Sequence, residues 1–201
     1  MKLKTSRVET LVDGVFAIAM TVLILNFSEV LSLTAPQNEQ DFHSLLLTLG
    51  NNFFAYVISF FLLGVFWLEH HRQSHFIKQA DSVSIFLNLF WLMFVSLIPF
   101  STLMLGNHEN FVYPVCVFEI NILIVNVLFY ALWVYVTRNH RLVDSKLDKK
   151  AIALNGQLLR LCILFSLLAL SLSVIHPLIS LIVLIIVPLV VIFKGGGLSD
   201  Q

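Results

Sequence analysis

Long apolar runs separated by short polar segments dominate the pattern of this sequence. A membrane helix needs roughly 20 mostly apolar residues to cross about 30 Å of hydrocarbon, whereas a tilted barrel strand needs about 9–11 residues. The runs show no alternation of polar and apolar positions, which excludes a transmembrane barrel. We predict an all-α polytopic membrane protein with six transmembrane helices, at about 8–31, 44–68, 83–105, 111–137, 153–174 and 177–193.

Composition agrees with a membrane protein and narrows its function. Hydrophobic residues make up 58% of the chain and charged residues 12%, about half the charge of a soluble domain. There is no basic stripe for a nucleic-acid partner, and no phosphate loop, nucleophile elbow or paired-carboxylate motif for an enzyme. Cys116 and Cys162 lie in apolar runs without metal-ligand spacing, so we expect no metal site and no cofactor. We predict a multi-pass protein of the cell membrane, surrounded by lipid.

Basic residues mark one side of the predicted bundle. Eleven of the twelve Lys and Arg residues precede helix one, lie between helices two and three or four and five, or follow helix six. The twelfth, Arg160, lies just inside helix five. The opposite connections contain none: 32–43, 106–110 and 175–177. The positive-inside rule then places both termini in the cytoplasm, with a single domain over 1–194 and a flexible tail over 195–201.

The first predicted helix carries a stripe of residues at heptad-like spacing. Its apolar members are Leu11, Ile18, Val22 and Leu25, and Gly14 and Thr21 lie beside them. Such a stripe packs against neighbouring helices about as often as it has another function. The functional interpretation is a pore wall, in which Ile and Leu rings from several subunits form a constriction that gates by dewetting. Glu29 continues the spacing to the outer end, where a ring of carboxylates would attract cations.

Asp13 places a charge inside the first predicted helix. A charge in the membrane costs about 2.5–3.5 kcal/mol, so we expect Asp13 to face protein rather than lipid. If Ile18 faces a pore axis, Asp13 lies about 140° away around the helix and supports it from behind. Arg160 is the natural partner because it lies at a similar depth. Competing partners at the cytoplasmic edge are Arg7, His70 and His71. We predict a structural polar network here rather than catalysis or metal binding.

Glu119 lies within the fourth predicted helix, about 12 Å below the outer surface. An unpaired carboxylate in the membrane is a candidate proton site, and it can equally be a protonated group in a subunit contact. The sequence leaves both open. Glu119 and the histidines therefore support an alternative function, a proton-coupled or proton-leak transporter. A structural or accessory membrane protein is a third interpretation.

Three segments of the first half of the chain resemble a known family. They are DGVFAIAMTVLIL in helix one, FxxLGVFWLEHHR at the end of helix two and NLFWLMFVSLIPFSTLMLG in helix three. Together they resemble the small prokaryotic members of the endosomal/lysosomal potassium channel family, the transmembrane protein 175 type. The family signature is Arg, three residues and then Phe-Ser-Asp. Arg7 and Asp13 match it, whereas Leu11 and Val12 stand at the Phe and Ser positions.

The resemblance implies a potassium-permeable cation channel of four identical six-helix subunits, whose first helices line the pore. By motif position, Ile18 corresponds to the family's constricting isoleucine. Val22 and Leu25 correspond to the next apolar rings outward, and Thr21 to a polar contributor to selectivity. The leading prediction is therefore a homotetramer that conducts K⁺ passively.

Overall fold

The computed structural model of the protein describes residues 5–33, 36–107, 111–144 and 147–195, without the side chains of 29–30, 32–33, 107 and 187–195. In chain order, the helices are α1 (Thr5–Val22), α2 (Leu25–Leu33), α3 (Glu39–Ser74), α4 (Ser82–Ser96), α5 (Ile98–Asn107), α6 (Val112–Thr137), α7 (Lys149–Ser173) and α8 (Pro177–Gly195). A short 3₁₀ turn, Arg138–His140, follows α6.

The all-α membrane fold is confirmed, because a helix occupies each predicted membrane segment. Among the described residues, five helical segments are long and apolar enough to cross a bilayer, with α1 and α2 forming one segment and α4 and α5 another. The sixth, in α8, has a shorter described apolar stretch, Pro177–Ile186. Residues 196–201, which belong to the predicted tail, lie outside the described residues.

A break divides the first predicted helix into α1 and α2. At this point Ile24 N–H donates to Thr21 O and Asn26 N–H donates to Leu23 O, both over 3.3 Å. These i to i+3 bonds replace the ordinary i to i+4 pattern and tighten the backbone. The hydrophobic pattern predicts a continuous helix here, because apolar residues persist through the break.

Pro99 explains the corresponding break between α4 and α5. Proline has no N–H, and its ring clashes with the carbonyl four residues earlier, so a regular helix seldom continues through it. Leu97 N–H instead donates to Phe94 O over 3.2 Å, which closes α4. The Asn26 side chain donates from Nδ2 to Pro99 O over 3.2 Å. This bond joins the two breaks and fixes α2 against α5.

Aromatic rings fill the centre of the bundle and position α1. The rings of Phe16 on α1 and Trp91 on α4 lie 5.5 Å apart, and Trp91 stacks on Phe129 of α6 at 5.1 Å. All three side chains are fully buried. Offset and tilted aromatic pairs of this kind add about 0.5–1.5 kcal/mol beyond the burial of their surface. They determine which face of α1 points into the subunit.

Helices α3 and α5 approach each other closely at Gly106. The Asn52 amide donates from Nδ2 to Thr48 O over 2.9 Å and to Gly106 O over 3.3 Å. A Cβ at position 106 would lie 2.4 Å from Asn52 Oδ1 and 3.0 Å from Asn52 Cα. Glycine is therefore required at this contact.

Two of the predicted basic connections meet at one end of the bundle. The chain between α3 and α4 forms an isolated antiparallel bridge with the chain between α6 and α7, at Ile77 and Val143. Lys78 N–H donates to Leu142 O over 2.9 Å across this bridge. Both connections therefore lie on the same side of the membrane domain.

Asp81 joins α4 to α6 at this end. Ser84 N–H donates to its Oδ1 over 2.9 Å, the Tyr135 hydroxyl donates to its Oδ2 over 2.7 Å, and Arg141 Nε lies 3.4 Å from Oδ2. Partial burial raises the pKa of Asp81, but the bonds from Ser84 and Tyr135 and the charge of Arg141 outweigh it and hold the pKa below its usual 3.8. Asp81 is therefore an ionised helix cap at neutral pH.

Candidate pore face

One face of α1 and α2 is open within the subunit. Ile18 is 65% exposed, Leu25 is 58% exposed and Leu11 is 46% exposed. Gly14 and Thr21 are exposed on the same side. The opposite side is buried against the bundle and comprises Val12, Phe16, Ala19 and Leu23. The predicted stripe is thus the face of the first helix that does not pack against its own subunit.

An open groove of about 580 Å³ runs along this face. It is lined by Arg7, Thr10, Leu11, Gly14, Val15 and Ile18. A Cβ built on Gly14 meets nothing within 4 Å, so its backbone is accessible from the groove. Arginine, threonine and glycine on one membrane helix face favour water or another subunit over lipid as the neighbour.

Thr21 offers oxygen to the open face. Its hydroxyl lies 3.0 Å from Ala17 O and 2.9 Å from Ile18 O, and it donates to these carbonyls of its own helix. A hydroxyl that donates its single proton in this way keeps its two lone pairs as acceptors. An exposed acceptor one turn above Ile18 is a suitable partial ligand for a dehydrating cation.

The other predicted pore residues lie at or beyond the break. Val22 ends α1 and is half-buried, so it lies at the edge of the open face rather than at its centre. Glu29 belongs to α2, but its side chain lies outside the described part of the structure.

The Asp13 side chain accepts a hydrogen bond from α3, one of the helices on which α1 packs. The Trp67 indole on α3 donates from Nε1 to Asp13 Oδ1 over 2.9 Å. The Trp67 ring in turn stacks on His71 at 5.8 Å, and His71 meets His75 edge-on at 5.1 Å. Sequence reasoning did not identify Trp67 as the partner. The sequence nevertheless contains a signal for this pairing, because an interfacial tryptophan usually finds a hydrogen-bond acceptor for its N–H.

The expected pairing of Asp13 with Arg160 does not form within the described subunit, and this prediction is corrected. Arg160 Nε donates to Gly156 O of its own helix over 3.3 Å. The reason lies in the packing, because α7 lies against α6 and α8 while α1 packs against α3 and α4. Arg7 does not pair with Asp13 either, since it lies on the open face with Ile18.

The two adjacent histidines lie in different surroundings. His70 is buried, stacks on Trp91 at 5.1 Å and places Nε2 3.4 Å from Asn88 Nδ2. His71 instead lies with Trp67 near Asp13. Hydrogen bonding of His70 to helix one, which we expected, is replaced by this contact with α4. In the ranges that the structure describes, no three His, Cys, Asp or Glu side chains come together as a metal site.

Glu119 is fully enclosed at the contact of α6, α7 and α8. It is 0% exposed, and in the described structure neither carboxylate oxygen has a hydrogen-bond partner of good geometry. Ser173 and Ser180 face it, but their hydroxyls donate to Leu170 O over 2.8 Å and to Pro177 O over 2.7 Å. A carboxylate enclosed without partners is strongly disfavoured in its charged form.

These features define a class. The chain is a polytopic helical membrane protein whose first helix keeps an amphipathic face free of its own subunit, as expected for a subunit of an oligomeric membrane pore. Residues 7–99 match the family model described as endosomal/lysosomal potassium channel TMEM175. This chain belongs to the TMEM175 family, which confirms the predicted resemblance.

Individual relatives match between about half and nearly all of the chain. A potassium channel of Streptomyces collinus is 32% identical over 74% of this chain and 72% of its own length. The crystal structure of a lysosomal potassium-selective channel TMEM175 homolog from Chamaesiphon minutus is 25% identical, with a TM-score of 0.79 over 94% of this chain and 97% of that one. The endosomal/lysosomal proton channel TMEM175 of Gallus gallus is 34% identical, over 48% of this chain and 20% of its own length.

Proposed function

We propose that four copies of this chain form a potassium-permeable cation channel in the cell membrane, with passive conduction along a central axis lined by α1 and α2. The observation that carries the proposal is the open face of α1, on which Ile18 is 65% exposed while the opposite face is buried. Four such faces around an axis would enclose a pore that is lined by the first helical segment of each subunit. The names of the bacterial relatives support potassium as the permeant ion.

In this arrangement a ring of Ile18 side chains forms the neck. An apolar neck imposes a dehydration barrier, so the width and wetting of the ring decide whether ions pass. Thr21 oxygens lie one turn outward and offset part of that barrier. Val22 and Leu25 form further apolar rings, and Glu29 attracts cations to the outer mouth. No cofactor takes part.

The same arrangement puts both termini in the cytoplasm. The bridge of Ile77 with Val143 supports this orientation, because it gathers two connections rich in Lys and Arg at one end of the bundle. Basic connections remain on the cytoplasmic side during insertion.

The test is potassium and sodium flux from purified protein in liposomes, comparing wild type with Ile18→Asn. We expect wild-type flux to favour K⁺, and Ile18→Asn to raise total flux and lower the preference, because a polar ring wets the neck. Ile182→Asn is the matched control, since Ile182 is 52% exposed on α8 and away from the proposed axis. Unchanged flux in Ile18→Asn, with altered selectivity on changing Asp13, would place the pore on the other face of α1.

The second candidate is a proton leak or proton-coupled transport through Glu119. It is favoured by the enclosure of a carboxyl that, among the described residues, has no hydrogen-bond partner of good geometry and can hold a proton within the membrane, and by the name of the Gallus gallus relative. The histidines are not part of the same site. His70 packs against Phe129 at 6.2 Å, and Phe129 lies ten residues or roughly 15 Å along α6 from Glu119.

The discriminating variant is Glu119→Gln, assayed for proton and potassium flux at several pH values. Loss of proton flux with potassium flux retained would support a separate proton function. Unaltered proton flux would remove this candidate. Glu69→Gln is the control, because Glu69 is also buried but pairs with Arg72 at 3.3 Å.

A further inference from the structure

The chain reverses sharply where α6 ends. Asn139 and His140 both have positive φ, 55° and 50°, which is uncommon for residues other than glycine. Arg141 N–H donates to Arg138 O over 3.1 Å, and Leu142 N–H donates back to Val136 O over 3.0 Å. The reversal folds Arg141 back towards the last turns of α6, and it brings Arg138 and Arg141 to one place.

The reversal borders a cavity of about 420 Å³ that is open to the surface. Its lining consists of Tyr135, Arg138, Asn139 and Arg141. Among the described residues no carboxylate lines it, and two guanidinium groups and one amide supply hydrogen-bond donors. The planar fork of an arginine guanidinium matches the oxygens of phosphate and can donate two parallel hydrogen bonds to them.

Neighbouring side chains hold Arg141 in place before any anion binds. The Arg141 guanidinium carbon lies 4.7 Å from the centre of the Tyr135 ring, and its Nε lies 3.4 Å from Asp81 Oδ2. The opposite edge of the guanidinium keeps further N–H donors. Arg138 is exposed, and in the described residues it forms no ion pair with an acidic side chain. Its charge is therefore available to an external anion.

The surface of α6 below the cavity is apolar and uncovered. Ile120, Val127 and Val134 recur at seven-residue spacing, and each is 42–43% exposed. Arg138 follows Val134 by one turn on the same side of the helix. An acyl chain lying along this track would bring its headgroup to the cavity. A free phosphate ion has no acyl chain and would make no use of the track.

We propose that this cavity binds the phosphate of an anionic phospholipid in the leaflet that the basic connections face, with its acyl chain along the exposed track of α6. Basic pockets at the ends of membrane helices are suited to such headgroups. The site lies on the opposite end of the bundle from Glu119 and outside the proposed pore face.

The experiment is native mass spectrometry of the detergent-purified protein at about 0.15 M ionic strength, where charges beyond about 8 Å are screened. Dioleoylphosphatidylglycerol and dioleoylphosphatidylcholine are titrated separately, and inorganic phosphate is added as a competitor. We expect the anionic dioleoylphosphatidylglycerol to bind preferentially. Arg138→Gln should weaken its binding about fivefold to tenfold, because a positive residue near the headgroup contributes about that factor. Arg138→Lys should restore part of the binding, since it keeps the charge but loses the fork.

Lys150→Gln is the matched control, because Lys150 is an exposed cation in the first turn of α7 that does not line the cavity. It should change binding by less than about twofold. Equal losses in Arg138→Gln and Lys150→Gln, or equal binding of the two lipids by wild type, would overturn the site. Displacement of the lipid by millimolar inorganic phosphate would overturn the lipid as the ligand. Because Arg138 forms no ion pair with a described acidic side chain, its variants are expected to unfold at the wild-type temperature, and a thermal unfolding scan of each variant checks this.

Discussion

A methyl group at position 106 should separate two helices of the bundle. In Gly106→Ala the new Cβ would lie 2.4 Å from Asn52 Oδ1, 2.9 Å from Asn52 Cγ and 3.0 Å from Asn52 Cα. The last contact is with backbone, so rotating the side chain does not relieve it. Ordinary contacts begin at 3.4 Å, and therefore α3 and α5 must move apart locally by several tenths of an ångström.

The energetic cost has two parts. Overpacking of a close contact costs about 1–3 kcal/mol. The bond from Asn52 Nδ2 to Gly106 O, 3.3 Å long, would be lost as the helices separate, at about 0.5–1.5 kcal/mol. The better helix propensity of alanine returns about 0.5–1 kcal/mol. We expect a net destabilisation of about 0.5–4 kcal/mol.

The assay is unfolding of the purified protein in mixed micelles with increasing denaturing detergent, followed by circular dichroism and tryptophan fluorescence. Gly50→Ala is the control, because Gly50 lies in α3 and a Cβ there meets nothing within 4 Å. It should be neutral or slightly stabilising, so only Gly106→Ala is expected to lower the unfolding midpoint. If Gly106→Ala is as stable as Gly50→Ala, the close approach of α3 and α5 at this point is wrong.

Three further predictions concern the polar contacts. Trp67→Phe removes the donor to Asp13 Oδ1 and should cost about 1.5–3 kcal/mol of stability, as for a bond to a charged group; an unchanged unfolding midpoint would show that this bond is not formed. The folded pKa of Asp81 is lowered, so its stabilisation is complete above its usual 3.8 and is lost as the pH falls through the folded value; stability measured from pH 6 to pH 3 should fall less in Asp81→Asn than in wild type. Thr21→Val keeps the branched shape but removes the oxygen, and liposome flux should show a K⁺ over Na⁺ preference roughly twofold to tenfold lower; equal preference would exclude Thr21 from selectivity.

The membrane architecture follows from local properties of the sequence. Apolar length alone predicts where helices cross, because each spanning segment must satisfy its backbone hydrogen bonds internally. The heptad-like spacing of Leu11, Ile18 and Leu25 identifies a single face, since residues seven apart recur on one side of a helix. Even the break at Pro99 was predictable from the proline itself, although the hydrophobic pattern passes over it.

The partners of the polar residues depend on tertiary structure. Asp13 meets Trp67 rather than Arg160 because α1 packs against α3 and α4, a choice that no spacing within α1 contains. In the part of the chain that the structure describes, neither carboxylate oxygen of Glu119 has a hydrogen-bond partner of good geometry, because Ser173 and Ser180, which face it, donate to carbonyls of their own helices.

The same is true of the arginine cavity. Arg138 and Arg141 are read from the sequence only as members of a basic connection. Asp81, more than fifty residues earlier, fixes Arg141 beside Tyr135 and thereby shapes the cavity. Sequence patterns report which side of a helix is apolar, because that depends on near neighbours. Which polar groups meet depends on how the helices pack, and that is decided by contacts between distant parts of the chain.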